Sequence, residues 1–276
     1  MLDAGHSALD AVVTAVVELE NNPTFNAGYG SSLTTAGLPE CDAFVMTDRL
    51  HSGAVGSVSG VRNCVVLARY VLEETPHEFI AGAGAVELAT LAGIDVCDPR
   101  ELIVPRRYEQ WQELMAKDAS FEKTMYLESA AEPVAPGEFS PEQADTVGAC
   151  AIDVHGHIAV ASSTGGIMLK MPGRIGDTPV IGSGSYCGPA GAVTATGHGE
   201  ACMRICLAKY IYDQMEGGAS AIEAARAGVA HMVERVEGRA GVIVLDRHGG
   251  RAWSTSTSRI AAAVPELTID SPEGEL

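Results

Sequence analysis

The chain is short of lysine, of paired cysteines and of long apolar runs, and each shortage removes a class of function. Four lysines and fourteen arginines face 36 acidic residues, for a net charge of −18. Nucleic acid is bound through clustered basic side chains, so it is not an expected partner. No stretch approaches the ~18 uninterrupted apolar residues of a membrane helix, and no basic-then-apolar leader opens the chain. Neither a membrane partner nor export is therefore expected, and a cytoplasmic location is. The seven cysteines (Cys41, Cys64, Cys97, Cys150, Cys187, Cys202 and Cys206) are odd in number and contain no CxxC. That pattern is not a secreted disulfide framework. Cys202 and Cys206 share a helix face four residues apart, but no second Cys or His pair completes a metal set, so the cysteines read as buried free thiols. Gly182-Ser183-Gly184 is not a dinucleotide fingerprint, because no full GxGxxG with a following acidic residue is present. What remains is a 276-residue chain, 46% hydrophobic, long enough for one large domain or two small ones. Its acidity serves solubility.

Taken in order, residues 7–20 place Leu9, Val12, Val13, Val16 and Leu19 on one stripe, which predicts an amphipathic helix. The following NNPTFNAGYGSSL has Pro, Asn and Gly at turn spacing and reads as an ordered loop. Asn26, Gly28 and Gly30 there suit either a plain connection or a close backbone approach to a ligand or cation. Residues 41–61 predict two strands, 63–74 a helix stopped before Thr75-Pro76, and 84–92 a short helix. The span 99–145 carries ten acids, five bases and several prolines. A helix is expected near 107–117, and AAEPVAPGEFSPEQA reads as a linker.

The next stretch begins Asp145-Thr146-Val147-Gly148. Thr146 stands at the start of an apolar strand, just past the linker. Cleavage before it would place its own amine beside its own hydroxyl, joining base and nucleophile in one residue. The strand leads into a hairpin with a two-residue turn expected at His155-Gly156. If residue 154 faces 157, Thr146 lies opposite residue 165, give or take one, and Thr164 becomes its neighbour. Further on, Arg174 and Asp177 sit three apart in a Gly-rich loop. They suit a ligand with both a carboxylate and an ammonium, or a local salt bridge. TATGHGE runs from a strand through glycines into a helix over 200–215, a place for an oxyanion site. His198 is expected to be structural. A helix over 220–235, a hairpin at His248-Gly249-Gly250 and a frayed acidic tail over 265–276 complete the chain.

DTVGACAID, STGGIMLKMPGRIGDTPVIGSGSY and TATGHGE, with LENNPTFNAGYGSSL and ARYVLEETPH before them, resemble the isoaspartyl peptidase and plant-type L-asparaginase family. These are N-terminal-nucleophile hydrolases that cut themselves before a threonine. The resemblance spans about residues 7–258 and implies an α+β fold, a four-layer αββα sandwich. The family's usual first strand, with its HGG-type motif, is not in this sequence. Residues 1–145 would form an α-subunit portion, with the linker at about 99–145, and 146–276 a β-subunit portion, both contributing to one structural domain. The partner state implied is a dimer of α/β heterodimers. Thr146 would be the nucleophile released by cutting Asp145–Thr146, and Thr164 would hydrogen-bond it. Thr196 and Gly197 would form the oxyanion hole, and Asn26 would support the nucleophile. Arg174 would bind the substrate α-carboxylate and Asp177 its ammonium, with Gly197 and Gly199 lining the site. No cofactor is required. A structural sodium ion would be held by the carbonyls of Leu19, Glu20, Asn22, Phe25, Ala27 and Tyr29.

The expected substrates are the small molecules L-asparagine and β-aspartyl dipeptides. Aspartate before Thr146, where many asparaginases have glycine, resembles the glycosylasparaginase branch. A glycosylasparaginase-like amidase is therefore one alternative, and a protein-cleaving threonine aspartase a more distant one. A truncated, non-catalytic scaffold is the alternative outside enzymes.

Overall fold

In a computed structural model the described residues are 1–116, 146–257, 260–264, 267–271 and 273–275. The linker stretch AAEPVAPGEFSPEQA and Asp145 lie outside them. The structure is mixed α+β: two five-stranded sheets flanked by helices.

The first sheet has the order β3-β2-β1-β5-β4, built from β1 (Cys41–Thr47), β2 (Ser52–Val58), β3 (Phe79–Ala81), β4 (Val147–Ile152) and β5 (Ile158–Thr164). Helix α1 (Ala8–Glu20) begins at a Ser7/Asp10 capping box, which satisfies its first free N–H groups. Its stripe of Val12, Val13 and Val16 packs with α2 (Cys64–Glu74) and α3 (Gly82–Ala92) on the outer face of this sheet. Each such buried valine contributes roughly 1.5–3 kcal/mol over exposure.

The second sheet has the order β12-β9-β8-β7-β6, from β6 (Ser185–Gly188), β7 (Gly191–Gly197), β8 (Ala240–Asp246), β9 (Arg251–Thr255) and β12 (Glu273–Glu275). A second apolar cluster joins its outer face to α5 (Gly199–Ile205), α6 (Leu207–Glu216) and α7 (Ala221–Val236). A third, with Phe44, Met46, Val160, Cys187, Ala192 and Leu245, lies between the two sheets. Helix α4 (Pro105–Ala116) packs on the loops, with Trp111 against Leu33 and Leu169. None of the helices among the described residues is long and apolar enough to cross a membrane.

Four local expectations need correction. The 153–157 hairpin pairs Ile152 with Ile158, and Asp153 N–H donates to the His157 carbonyl, so its turn has three residues and not two. The cause is Asp153, whose Oδ1 accepts the N–H groups of His155 and His157 and whose Oδ2 accepts Ala8 N–H from α1. The helix expected over 200–215 is broken at Cys206, which has φ 48°. The break frees the N–H groups of Ala208 and Lys209 to donate to the Ser183 and Gly182 carbonyls. Cys206 is exposed, unlike Cys41, Cys64, Cys187 and Cys202. The acidic tail is ordered in part: β11 (Leu267–Ser271) pairs with β10 (Ile260–Val264), and β12 pairs with β9.

Candidate active site

The corrected hairpin register carries a consequence for the threonines. With Val147 opposite Ser163, the next residues outward are Thr146 and Thr164. Their hydroxyls meet, Thr146 Oγ1 donating to Thr164 Oγ1 at 3.1 Å. Thr164 Oγ1 also accepts the N–H of Gly166 at 3.0 Å, which fixes its rotamer.

Asn26 reaches this turn and not Thr146 itself. Its Nδ2 donates to the Gly166 carbonyl at 2.6 Å, its Oδ1 accepts Ser32 N–H at 2.8 Å, and its backbone carbonyl accepts Gly165 N–H at 2.8 Å. Across the sheet interface, Ser162 Oγ, Ser185 Oγ and Thr194 Oγ1 form a buried hydroxyl chain at 3.0 and 3.2 Å. Gly148 lies on the same interface: a Cβ there would stand 2.4 Å from Thr194 Oγ1. The glycine two positions after Thr146 is thus demanded by the opposing sheet.

Arg174 and Asp177 converge on the site but do not pair with each other. Arg174 Nε and Nη2 both contact the Glu200 carboxylate, at 3.0–3.1 Å. Glu200 sits in the first turn of α5, a position where an acid is favoured by the helix dipole. Gly199 separates the two groups, since a Cβ there would lie 2.8 Å from Asp177 Oδ1 and 2.9 Å from Arg174 Nη2. Asp177 is buried, and its Oδ2 has no hydrogen-bond partner. Burial raises its carboxyl to about 6, against the pull of Arg174. The loop carrying both residues is pinned from below by Asp42, whose carboxylate accepts Gly176 and Ser57 N–H groups. Lys170, wholly buried, donates to the Glu40 carbonyl, and burial lowers its ammonium.

Thr196 and Gly197 end β7. The Thr196 hydroxyl is buried with no hydrogen-bond partner, an available donor. Gly197 has φ 141°, and a Cβ would stand 2.3 Å from the Arg239 carbonyl. His198 Nε2 is likewise buried and unpartnered.

The 21–33 stretch is a tight loop. Tyr29 N–H donates to the Glu20 carbonyl, Phe25 N–H to that of Asn22, and Asn22 N–H to that of Leu19. Gly30 lets the carbonyls of Phe25 and Pro23 close in: a Cβ would meet them at 2.5 and 2.8 Å. Arg106 donates to the carbonyls of Pro23 and Thr24, and buried Arg107 to that of Gly30. Helix α4 thereby braces the loop.

A threonine hydroxyl pair at the end of the first sheet, a buried Asp177 oxygen without a partner on the loop after it and an unpartnered Thr196 hydroxyl on the second sheet form an arrangement that suits a hydrolase with a hydroxyl nucleophile. The chain belongs to the asparaginase family, whose model matches residues 1–269. It is 41% identical over 262 residues to the isoaspartyl peptidase/L-asparaginase of Danio rerio, covering 94% of this chain and 79% of that protein. The corresponding human protein is 39% identical over 267 residues, covering 95% and 82%. The plant-type L-asparaginase of Thermococcus kodakarensis is 38% identical over 270 residues, covering 97% and 86%.

Sequence reasoning missed Glu200 and Asp42. An acid in the first turn after Gly199 was a usable signal for the first. Nothing local marked Asp42, which reads as one more strand residue.

Proposed function

We propose that this chain is an isoaspartyl peptidase and L-asparaginase, a self-cleaving hydrolase whose nucleophile is Thr146. The observation that carries the reading is the 3.1 Å contact between Thr146 Oγ1 and Thr164 Oγ1 at the first residue of the β-subunit portion. The family membership supports the substrate class, L-asparagine and β-aspartyl peptides.

In maturation, Thr146 Oγ attacks the Asp145 carbonyl carbon and the peptide nitrogen leaves, giving an ester. The shift frees the Thr146 amine, and water then cleaves the ester to a C-terminal α-carboxylate on Asp145 and the free Thr146 hydroxyl. That amine has a reference pKa of about 7.7–8.0, so near neutrality it can take the hydroxyl proton. The Oγ then attacks the side-chain amide carbon of the substrate. Thr196 Oγ1–H and Gly197 N–H would receive the oxyanion. Collapse expels ammonia or the amine of the departing peptide, which takes the proton back from the Thr146 ammonium. Water hydrolyses the acyl-enzyme and releases aspartate. Arg174 would hold the substrate α-carboxylate and Asp177 its ammonium, with Gly199 leaving room between them.

The two sheets and their flanking helices support a four-layer αββα sandwich; a division of the domain into subunits 1–145 and 146–276 and assembly as a dimer of such pairs belong to the same reading. A sodium ion held by the carbonyls of Leu19, Glu20, Asn22, Phe25, Ala27 and Tyr29 belongs to the same reading; Gly28 and Gly30 let the chain approach the Glu20 and Phe25 carbonyls closely. The ion would add fixed positive charge that stiffens the loop.

The test is a denaturing gel with mass spectrometry on wild type and Thr146→Ala. The expected result is fragments 1–145 and 146–276 for wild type and one full-length band for the variant, with β-aspartyl dipeptide hydrolysis only in the former. Uncut, inactive wild type would overturn the reading, and faster turnover of a glycosylated asparagine would redirect it to the amidase branch.

A further inference from the structure

Glu20 is the last residue of α1, and its carboxyl is fully buried. Its Oε1 accepts Ser163 Oγ at 2.6 Å and Val65 N–H at 3.1 Å, and its Oε2 accepts Asn63 Nδ2 at 3.1 Å. Its backbone carbonyl accepts Tyr29 N–H at 2.8 Å. One residue therefore ties together the end of α1, the start of α2, the 21–33 loop and β5.

Burying a carboxyl is costly unless its hydrogen bonds are met, and here both oxygens are met. The helix C-terminus adds negative partial charge, which also opposes ionisation. Burial is the main cause that lifts the group to about 8. The other titratable groups facing it are the thiols of Cys41, at the start of β1, and Cys64, at the start of α2.

Side chains alternate along a strand, so Ser163 and Thr164 point to opposite faces of β5. Ser163 turns outward to Glu20, while Thr164 turns inward to Thr146. Glu20 is on the far side of the sheet from the reaction and cannot exchange protons with it directly. It does hold the strand end whose following turn Asn26 anchors through Gly165 and Gly166.

We propose that Glu20 is a positioning residue for the nucleophile: through Ser163 it sets where the end of β5 lies, and so maintains the contact of Thr164 with Thr146. The proposal rests on the reading of Thr146 as nucleophile given above. A displacement near 1 Å at this end of β5 would cost on the order of 10–100-fold in rate, because the hydroxyl pair would separate.

The experiment compares full-length wild type, Ser163→Ala, Glu20→Ala and Glu20→Gln. It measures kcat and KM on a β-aspartyl dipeptide, and hydrogen–deuterium exchange over residues 160–168. Ser163→Ala and Glu20→Ala are expected to lower kcat about tenfold with KM within about twofold. Exchange should rise at residues 163–166 and stay unchanged in α7. Glu20→Gln, which keeps the shape and an acceptor oxygen, should recover most of the kcat lost in Glu20→Ala. Unchanged kcat and exchange in Ser163→Ala would overturn the proposal, as would faster exchange spread through both sheets. If Glu20→Ala does not fold, Ser163→Ala decides alone. If wild type is itself uncut and inactive, the functional reading fails, while the exchange pattern at 163–166 still decides whether Glu20 positions β5.

Discussion

Glu200 holds Arg174 by its Nε and Nη2 atoms and leaves Nη1 facing Gly166 and Gly176. A Cβ on Gly176 would lie 2.8 Å from that atom, and one on Gly166 3.2 Å. The fork is thus oriented before a ligand arrives, with the side chain 12% exposed against 35% for its partner. Because Glu200 lies just past Thr196 and Gly197, the same ion pair ties Arg174 to the end of β7.

Loosening that pair should act on binding more than on chemistry. Glu200→Gln is expected to raise KM for L-asparagine about fivefold with kcat within about twofold, since a neutral amide orients the guanidinium less firmly. Arg174→Lys should cost roughly 100-fold in kcat/KM, because an ammonium cannot present a planar fork. Steady-state kinetics on both variants checks this. An unaltered KM in Glu200→Gln would mean that the glycine cradle orders Arg174 unaided.

Asp177 supplies a pH signature. Burial raises its carboxyl to about 6, and only the ionised form attracts an ammonium. The kcat/KM for L-asparagine reports the free enzyme, so the fall that protonation of the Thr146 amine causes below about 8 should steepen as pH drops through about 6. A limb that keeps the same slope from pH ~7 down to pH ~4.5 would remove Asp177 from ammonium binding.

Glu20 predicts the pH dependence of stability. In the folded state its carboxyl titrates at about 8, against 4.5 as the ordinary value. Between those values the folded chain keeps a proton that the unfolded chain has lost, so stability is fullest below 4.5 and declines as pH rises towards 8. Glu20→Gln cannot titrate and should flatten that decline by an amount on the order of a few kcal/mol. Urea melts at pH 5 and pH 8 for both proteins measure it. Parallel losses would show that Glu20 is ionised in the fold.

Gly148 tests the fit between the sheets. Gly148→Ala would drive a methyl against Thr194 Oγ1 and should destabilise the chain by about 1–3 kcal/mol. Adding Thr194→Ala removes that obstacle and should return part of the loss, visible as non-additive midpoints in urea. Strict additivity would place the two residues out of contact.

The sequence by itself was enough wherever the deciding contacts were local. Helix α1 follows from its capping serine and valine stripe, and the hairpin from its glycine turn. The pairing of Thr146 with Thr164 follows as well, because a hairpin sets register within some twenty residues of chain. Even there the reading was one residue off. The Asp153 side chain, held also by Ala8 of α1, closes a three-residue turn that spacing alone did not reveal. Arg174 and Asp177 were visible as a pair three apart, yet whether they bonded each other or a ligand stayed open. Tertiary structure separates the two and gives Arg174 a different partner, Glu200, from 26 residues away. Asn26 was expected near Thr146, and packing sets it one step back, on the Gly165-Gly166 turn. Glu20 is the clearest case: in sequence it is the polar end of a helix, where an acid is ordinarily exposed. Only the convergence of α1, α2 and β5 removes water from its carboxyl, because burial depends on what folds over a residue and local pattern cannot encode that.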